Sequence, residues 1–156
     1  MIEILIPGAD PLRIEHLILD YNGTIAEDGE LIEGVVEKIG ELARHLQLHV
    51  LTADTHGTVA EKLAGLACSL TVIGAEAQDL LKREYVVAVG QETAAAVGNG
   101  RNDHLMLQTA ALGICLIQKE GASGRALQAA DVVCTNILDV FDLFLHPARL
   151  IATLRN

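Results

Sequence analysis

HLILDYNGT, residues 16–24, decides how this chain folds. His16 to Asp20 is a short apolar run ending in a carboxylate, and Asn22-Gly23-Thr24 behind it is turn chemistry. A continuous apolar run of this length, bounded by a turn, reads as a strand buried on both faces that aims Asp20 outward at its C-terminal end. A helix is predicted next, over 33–46, where Val36, Ile39, Leu42, Ala43 and Leu46 recur at helical spacing with charges between them.

The alternation then repeats. Strands are predicted over 48–52, 69–73, 93–97, 112–117 and 131–134, and helices over 55–67, 76–86, 103–110 and 123–129. A helical tail, 138–154, should break near Pro147, which lacks an N–H and clashes with the preceding turn. Strands alternating with helices imply a mostly parallel sheet with right-handed crossovers and helices on both faces, a Rossmann-like three-layer α/β/α architecture. Ligands of such sheets bind beyond the strand C-termini.

Composition narrows the partners. A length of 156 residues fits one domain, 1–156, able to bury about two-thirds of its unfolded surface. Hydrophobic residues are 51% but aromatics only 3%, so the core must be packed from Ala, Val, Leu and Ile. With 21 acidic against 11 basic residues the net charge is −10, and no basic patch offsets it, which argues against nucleic acid and anionic membrane surfaces. Met1 to Pro7 has no basic segment or cleavage site of a signal peptide, and no apolar run is long enough for a bilayer. Cys68, Cys115 and Cys134 lack C-x-x-C spacing and sit in or beside apolar runs, as expected for a reduced, cytoplasmic protein.

Zinc is not supported by the six histidines: His45 and His49 straddle a predicted helix and strand, and there is no H-E-x-x-H or Cys/His quartet. A nucleotide cofactor is not supported either, because Gly98-x-Gly100 lacks a third glycine, follows a late strand, and has no G-K-[ST] elsewhere to replace it.

Four polar clusters fall at the predicted strand ends or near them: Asp20 to Thr24, Thr52-Ala53-Asp54, Lys82, and Gly98-Asn99-Gly100-Arg101-Asn102-Asp103. Each has a plain structural explanation. Asp20 can cap a turn, Asp54 and Thr55 can cap the next helix, Asn102-Asp103 can cap the helix over 103–110, and Lys82 can be a solvated helix residue. Taken together, their order and spacing resemble the four motifs of the haloacid dehalogenase (HAD) superfamily, over about residues 16–135. LDYNGTIA and VGNGRNDHLML look closest to the soluble relatives of the P-type ATPase phosphorylation domain.

The resemblance implies phosphoryl transfer through an aspartyl-phosphate. Asp20 matches the nucleophile, since an acyl-phosphate is labile enough to be hydrolysed in a second step. Gly23 and Thr24 would turn backbone N–H groups toward the phosphate, Thr52 with Ala53 would hold its oxygens, and Lys82 would offset charge in the transition state. Arg83 and Lys62 are rivals for the last role. Mg²⁺, which prefers hard oxygen ligands, would sit among Asp20, the Asn22 carbonyl, Asn99 and Asp103, with Asn102 orienting its neighbours. The segments between Thr24 and Thr52 and between Thr52 and Lys82 hold only crossover elements, so the resemblance is to capless members. Their open sites imply a homo-oligomer, dimer or tetramer, to which the apolar tail 140–154 could contribute an interface.

Two positions depart from the pattern. Asn22 stands where most phosphatases of the superfamily carry the Asp that acts as general acid and base, a loss worth about 10²–10⁴-fold in rate. Asn99 replaces a carboxylate of the fourth motif, which should weaken metal binding. His56 and His104, beside the second and fourth motifs, are candidates to contact substrate or to assist proton transfer instead. The reading is a slow Mg²⁺-dependent phosphohydrolase acting on a phosphorylated small molecule or phosphoprotein; the alternative is a non-catalytic phosphate- or ligand-binding regulatory module on the same fold.

Overall fold

The computed structural model describes residues 1–54 and 57–155. The chain opens with the hairpin β1 (Ile2–Ile4) and β2 (Leu12–Ile14), followed by β3 (His16–Asp20) and a small hairpin, β4 (Ala26–Glu27) and β5 (Glu30–Leu31). Then come α1 (Val35–Leu42), β6 (Gln47–Thr52), α2 (Thr58–Lys62), β7 (Ser69–Val72), α3 (Gln78–Val89), β8 (Ala94–Gly98) and α4 (His104–Thr109). β9 (Leu112–Leu116), α5 (Gly124–Ala129), β10 (Val132–Cys134), α6 (Ile137–Leu145) and α7 (Pro147–Leu154) complete it.

Six strands form one parallel sheet in the order β10-β9-β8-β3-β6-β7, so β3 lies at the centre with β8 on one side and β6 on the other. Successive side chains of a strand point to opposite faces. Leu17 and Leu19 of β3, Leu48 and Val50 of β6, and Ala95 and Val97 of β8 pack on Ile39, Leu42, Phe141, Phe144 and Leu150 of α1, α6 and α7. Ile18, Leu51, Ala94, Ala96 and Cys115 face the other way, onto Val86, Met106, Leu107 and Ala126 of α3, α4 and α5. These are the three layers expected. All five residues of β3's neighbour β8 are buried, and alanine at three of them permits close helix packing.

The two hairpins were not expected. Strands of two or three residues carry too little pattern to be read, yet Ile4 and Ile14 of β1 and β2 are fully buried. The second hairpin did have a signal in Asp28-Gly29, whose φ values of 49° and 79° are the pair a two-residue type I′ turn requires. Its tip is pinned by Lys62, which donates from Nζ to the Gly29 carbonyl and to Glu30 at 2.6 Å each, and by the Tyr21 hydroxyl at 3.0 Å from the same carbonyl. The tail breaks at Pro147 as its sequence implies. Its role as a free interface is corrected: Val140, Phe141, Phe144 and Leu150 are buried in the chain's own core. Among the described residues no helix is long and apolar enough to cross a membrane.

Candidate active site

The centre of the site is a buried ammonium between two carboxylates. β3 delivers Asp20 to the C-terminal edge of the sheet, and the first half of α3 brings Lys82, only 1% exposed, underneath it. Lys82 Nζ donates to Asp20 Oδ1 at 2.5 Å and to Asp103 Oδ1 at 2.6 Å. Burial alone would lower the Lys82 pKa, but the charges of Asp20 and Asp103 and their hydrogen bonds outweigh it and hold the pKa above its usual value. For Asp20, burial first and the Asp103 charge second push the pKa up to about 7 against the pull of Lys82.

That shift has a stability consequence. A carboxylic acid near 4 when unfolded and near 7 when folded makes the folded chain hold an extra proton between those values, so stability from this group falls as pH rises through the window. Asp20→Asn has no proton to lose. In EDTA, its melting temperature relative to wild type is therefore expected to rise from pH 4 to pH 7 and then level off, measured by calorimetry across that range. A difference independent of pH would contradict the raised pKa.

The loop after β8 is folded around Asp103, whose Oδ2 accepts from the main-chain amides of Asn99 at 2.9 Å and Gly100 at 2.7 Å. The expected cap comes from Asp103, whose carboxylate reaches back to the Gly100 amide ahead of the helical turn 101–103 that leads into α4, whereas Asn102 donates to Gln78 Oε1 at 2.7 Å. Asn99 donates from Nδ2 to the Gly121 carbonyl at 3.0 Å.

The turn after β3 also differs from expectation. Thr24 Oγ1 donates to Asp20 Oδ2 at 3.3 Å, but the Gly23 amide donates to the Ala26 carbonyl at 2.8 Å and the Thr24 amide to the Tyr21 carbonyl at 3.2 Å. Their N–H groups are used inside the turn, so the anion nest expected of Gly23 and Thr24 is not formed by these two amides. Gly23 is needed for a different reason: its φ is +78°, and a Cβ there would lie 2.3 Å from Asn99 Nδ2. Gly23→Ala is expected to cost about 1–3 kcal/mol through strain and displacement of Asn99, seen as a lowered midpoint in urea; an unchanged midpoint would show that the contact yields freely.

A cleft of about 300 Å³ opens above this cluster, lined by Asp20, Asn22, Thr52, Ala53 and Asn99 together with Gln78, Gly100, Asn102 and Glu120. Thr52 ends β6 beside β3 and is buried. The rivals to Lys82 lie elsewhere: Arg83 is exposed, and Lys62 holds the hairpin tip. His104 bonds to the Arg101 carbonyl at 2.7 Å and faces a separate hollow with Gln108 and Arg125, which corrects its candidacy as a substrate contact. His56 and Thr55 lie outside the described residues. Asp54 accepts from the Val59 amide at 2.9 Å, in the first turn of α2.

Sequence reasoning missed two residues from the segment after β9. Gln118 donates from Nε2 to the carbonyls of Gly23 at 3.1 Å and Thr24 at 2.9 Å while its Oε1 accepts from Ile137 N at 2.8 Å, so it props the turn behind Asp20. Glu120 lines the cleft itself. The rule that sites gather beyond strand C-termini, applied to β9, pointed to this segment.

No family model matches the sequence. The structure superposes on a protein from Streptomyces avermitilis described as a putative HAD family hydrolase, with a TM-score of 0.70, at 22% identity over 86% of this chain and 87% of that one. The chain has the fold of the haloacid dehalogenase superfamily. A second HAD-fold structure, 3-deoxy-D-manno-octulosonate 8-phosphate phosphatase from Moraxella catarrhalis in complex with magnesium, phosphate and its sugar acid, superposes at TM-score 0.66 with 17% identity, covering 90% of this chain and 92% of that one. A zinc-transporting P-type ATPase in its E2·Pi state matches 78% of this HAD-fold chain at 27% identity and TM-score 0.62, within 20% of its own length. An uncharacterized protein of Methanocaldococcus jannaschii is 48% identical over 61 residues, 39% of this chain and 66% of its own.

Proposed function

We propose that the protein is a slow Mg²⁺-dependent phosphohydrolase that works through an aspartyl-phosphate on Asp20. The observation that carries this reading is the Lys82 ammonium, 2.5 Å from Asp20 and 2.6 Å from Asp103 beneath an open cleft. A buried cation there serves a phosphoryl group better than it serves stability, since burying an ion pair gains little over apolar packing. Asp20 attacks phosphorus in line, Lys82 offsets the charge that develops on the transferring oxygens, and Thr52 and Ala53 hold those oxygens in place.

The donor set fits a weakly held hard cation. Asp20, Asp103, Asn99 and the Asn22 main-chain carbonyl would offer oxygens, and Asp103 also positions Lys82. Among the described residues no three His, Cys, Asp or Glu side chains converge as a metal site. When bound, Mg²⁺ would neutralise phosphate charge.

The substrate is proposed to be a phosphorylated small molecule, as for the sugar-acid phosphatase of the same fold; a phosphoprotein would also reach a capless cleft. A single domain spanning 1–156, a cytoplasmic location, no nucleic-acid or membrane partner, and a dimer or tetramer that covers the cleft complete the reading; the charge of −10 and three unpaired cysteines support it. Asn22 and Asn99 favour one alternative, a module that binds phosphate without turning over. It would show ligand-dependent thermal stabilisation and no product.

The test is hydrolysis of an aryl phosphate in Mg²⁺ and in EDTA, with Asn22→Asp in parallel. Slow activity lost in EDTA is expected, with Asn22→Asp at least as active as wild type. Activity indifferent to EDTA would overturn the reading.

A further inference from the structure

We propose that Glu120 is the general acid and base of this site, supplying the proton transfer that Asn22 cannot. The inference rests on the phosphohydrolase reading and names the group that reading lacks. An amide neither gives nor takes a proton in the working pH range, so a residue matched to the Asp position of the superfamily but carrying Asn leaves the leaving group and the attacking water unassisted.

Glu120 is placed for the task. Among the described residues lining the phosphate cleft, Asp20 and Glu120 are the titratable ones, and Asp20 is committed as nucleophile. Glu120 is also the one described residue shared between that cleft and an adjoining hollow of about 290 Å³ formed with Gly23, Ala26, Ile32 and Lys119. A phosphate ester with its phosphoryl group over Asp20 and the remainder in the hollow has its bridging oxygen at this seam.

The carboxylate is held as well as placed. Its Oε1 accepts from the Asp28 amide at 3.2 Å, at the tip of the hairpin that Lys62 and Tyr21 pin down, so Oε2 is the oxygen left for proton transfer. The segment that carries it is tied to the fourth-motif loop: Asn99 Nδ2 donates to the Gly121 carbonyl at 3.0 Å, and the Ser123 amide donates to the Asn99 carbonyl at 2.8 Å. Motion of Glu120 relative to Asp20 is thereby restricted, which a general acid requires.

The steps balance. An Asp20 oxygen bonds to phosphorus, the bond from phosphorus to the ester oxygen breaks, and that oxygen takes the proton of neutral Glu120 to leave as an alcohol. Glu120, now a carboxylate, takes a proton from water as the water oxygen bonds to phosphorus and the bond from phosphorus to Asp20 breaks. Orthophosphate leaves, with Asp20 ionised and Glu120 protonated again.

Glu120→Gln tests this, because the amide oxygen can still accept from Asp28 and the side chain is exposed, so the fold should be untouched. With Mg²⁺ and glycerol 2-phosphate, whose alkoxide leaves poorly, kcat is expected to fall about 10²–10⁴-fold. With acetyl phosphate, whose acetate leaves without a proton, the phospho-enzyme should still form and persist longer than in wild type. Asn22→Asp added to Glu120→Gln should restore most of the ester hydrolysis, which a purely structural defect would not allow. Wild type turning over while Glu120→Gln matches it on glycerol 2-phosphate would overturn this inference alone. A wild type that neither hydrolyses a phosphate nor takes a label would overturn the phosphohydrolase reading and this one with it.

Discussion

Asp20→Asn is expected to reduce phosphate ester hydrolysis by about 10⁴-fold or more, the scale on which enzymes lose turnover when a covalent nucleophile is removed. The substitution is nearly isosteric, so Lys82 keeps a hydrogen-bond acceptor at position 20 and the buried cluster keeps its shape. The loss would then report chemistry and not collapse of the site. Unchanged melting in EDTA near pH 4, where burial already favours the neutral form of Asp20, is the control for folding. If the variant hydrolysed substrate within tenfold of wild type, water would have to attack phosphorus directly, and Asp20 would be reduced to holding charge.

Lys82→Met is expected to have the largest effect on stability. The variant keeps the aliphatic bulk but leaves Asp20 and Asp103, both drawn to the same ammonium at 2.5 Å and 2.6 Å, facing each other with nothing between. Breaking a buried ion pair by removing one partner costs about 3–5 kcal/mol, which in a domain of this size lowers the melting temperature by roughly 10 °C. Mg²⁺ should recover part of that loss by neutralising the carboxylates, whereas in wild type its effect should be small. Calorimetry of both proteins in EDTA and in Mg²⁺ separates the cases. An unchanged melting temperature would mean that one carboxyl is already protonated and that Lys82 is not holding the cluster together.

Much of this was legible in the sequence because the central strands speak plainly. HLILD, LGICL and the alanine run of β8 are continuous apolar segments with turn residues behind them, and only a sheet covered on both faces accommodates such strands. Two helices were drawn too long, since α1 starts only after Gly34 at φ +88° and α2 is a bare five residues, whereas α3 runs on to Val89, past the predicted end at 86. β1 and β2 are not legible because three residues cannot show a period, and β4 with β5 are announced only by the turn pair Asp28-Gly29 between them.

At the site, proximity of Asp20 to Asp103 followed from the strand-end rule, whereas Lys82, 62 residues from Asp20 and without a local motif, could be chosen only through the resemblance. Gln118 and Glu120 carry no motif either, and only the strand-end rule applied to β9 points to their segment. Gln118 bonds to a turn 94 and 95 residues earlier in the chain, and no motif in Gln118-Lys119-Glu120 announces that the segment folds back onto the turn after Asp20. The backbone nest failed differently: Gly23 and Thr24 were the right residues for a tight turn, but a turn that tight consumes its own amides.

The most direct measurement is to mix the full chain with acetyl phosphate and Mg²⁺, quench in acid, and locate any phosphoryl label by peptide mass spectrometry. One phosphoryl group per chain, on the peptide holding Asp20, absent in EDTA and absent in Asp20→Asn, is the expected result. Phosphate released by wild type without a label on that peptide, or a label that survives Asp20→Asn, would contradict an aspartyl-phosphate on Asp20.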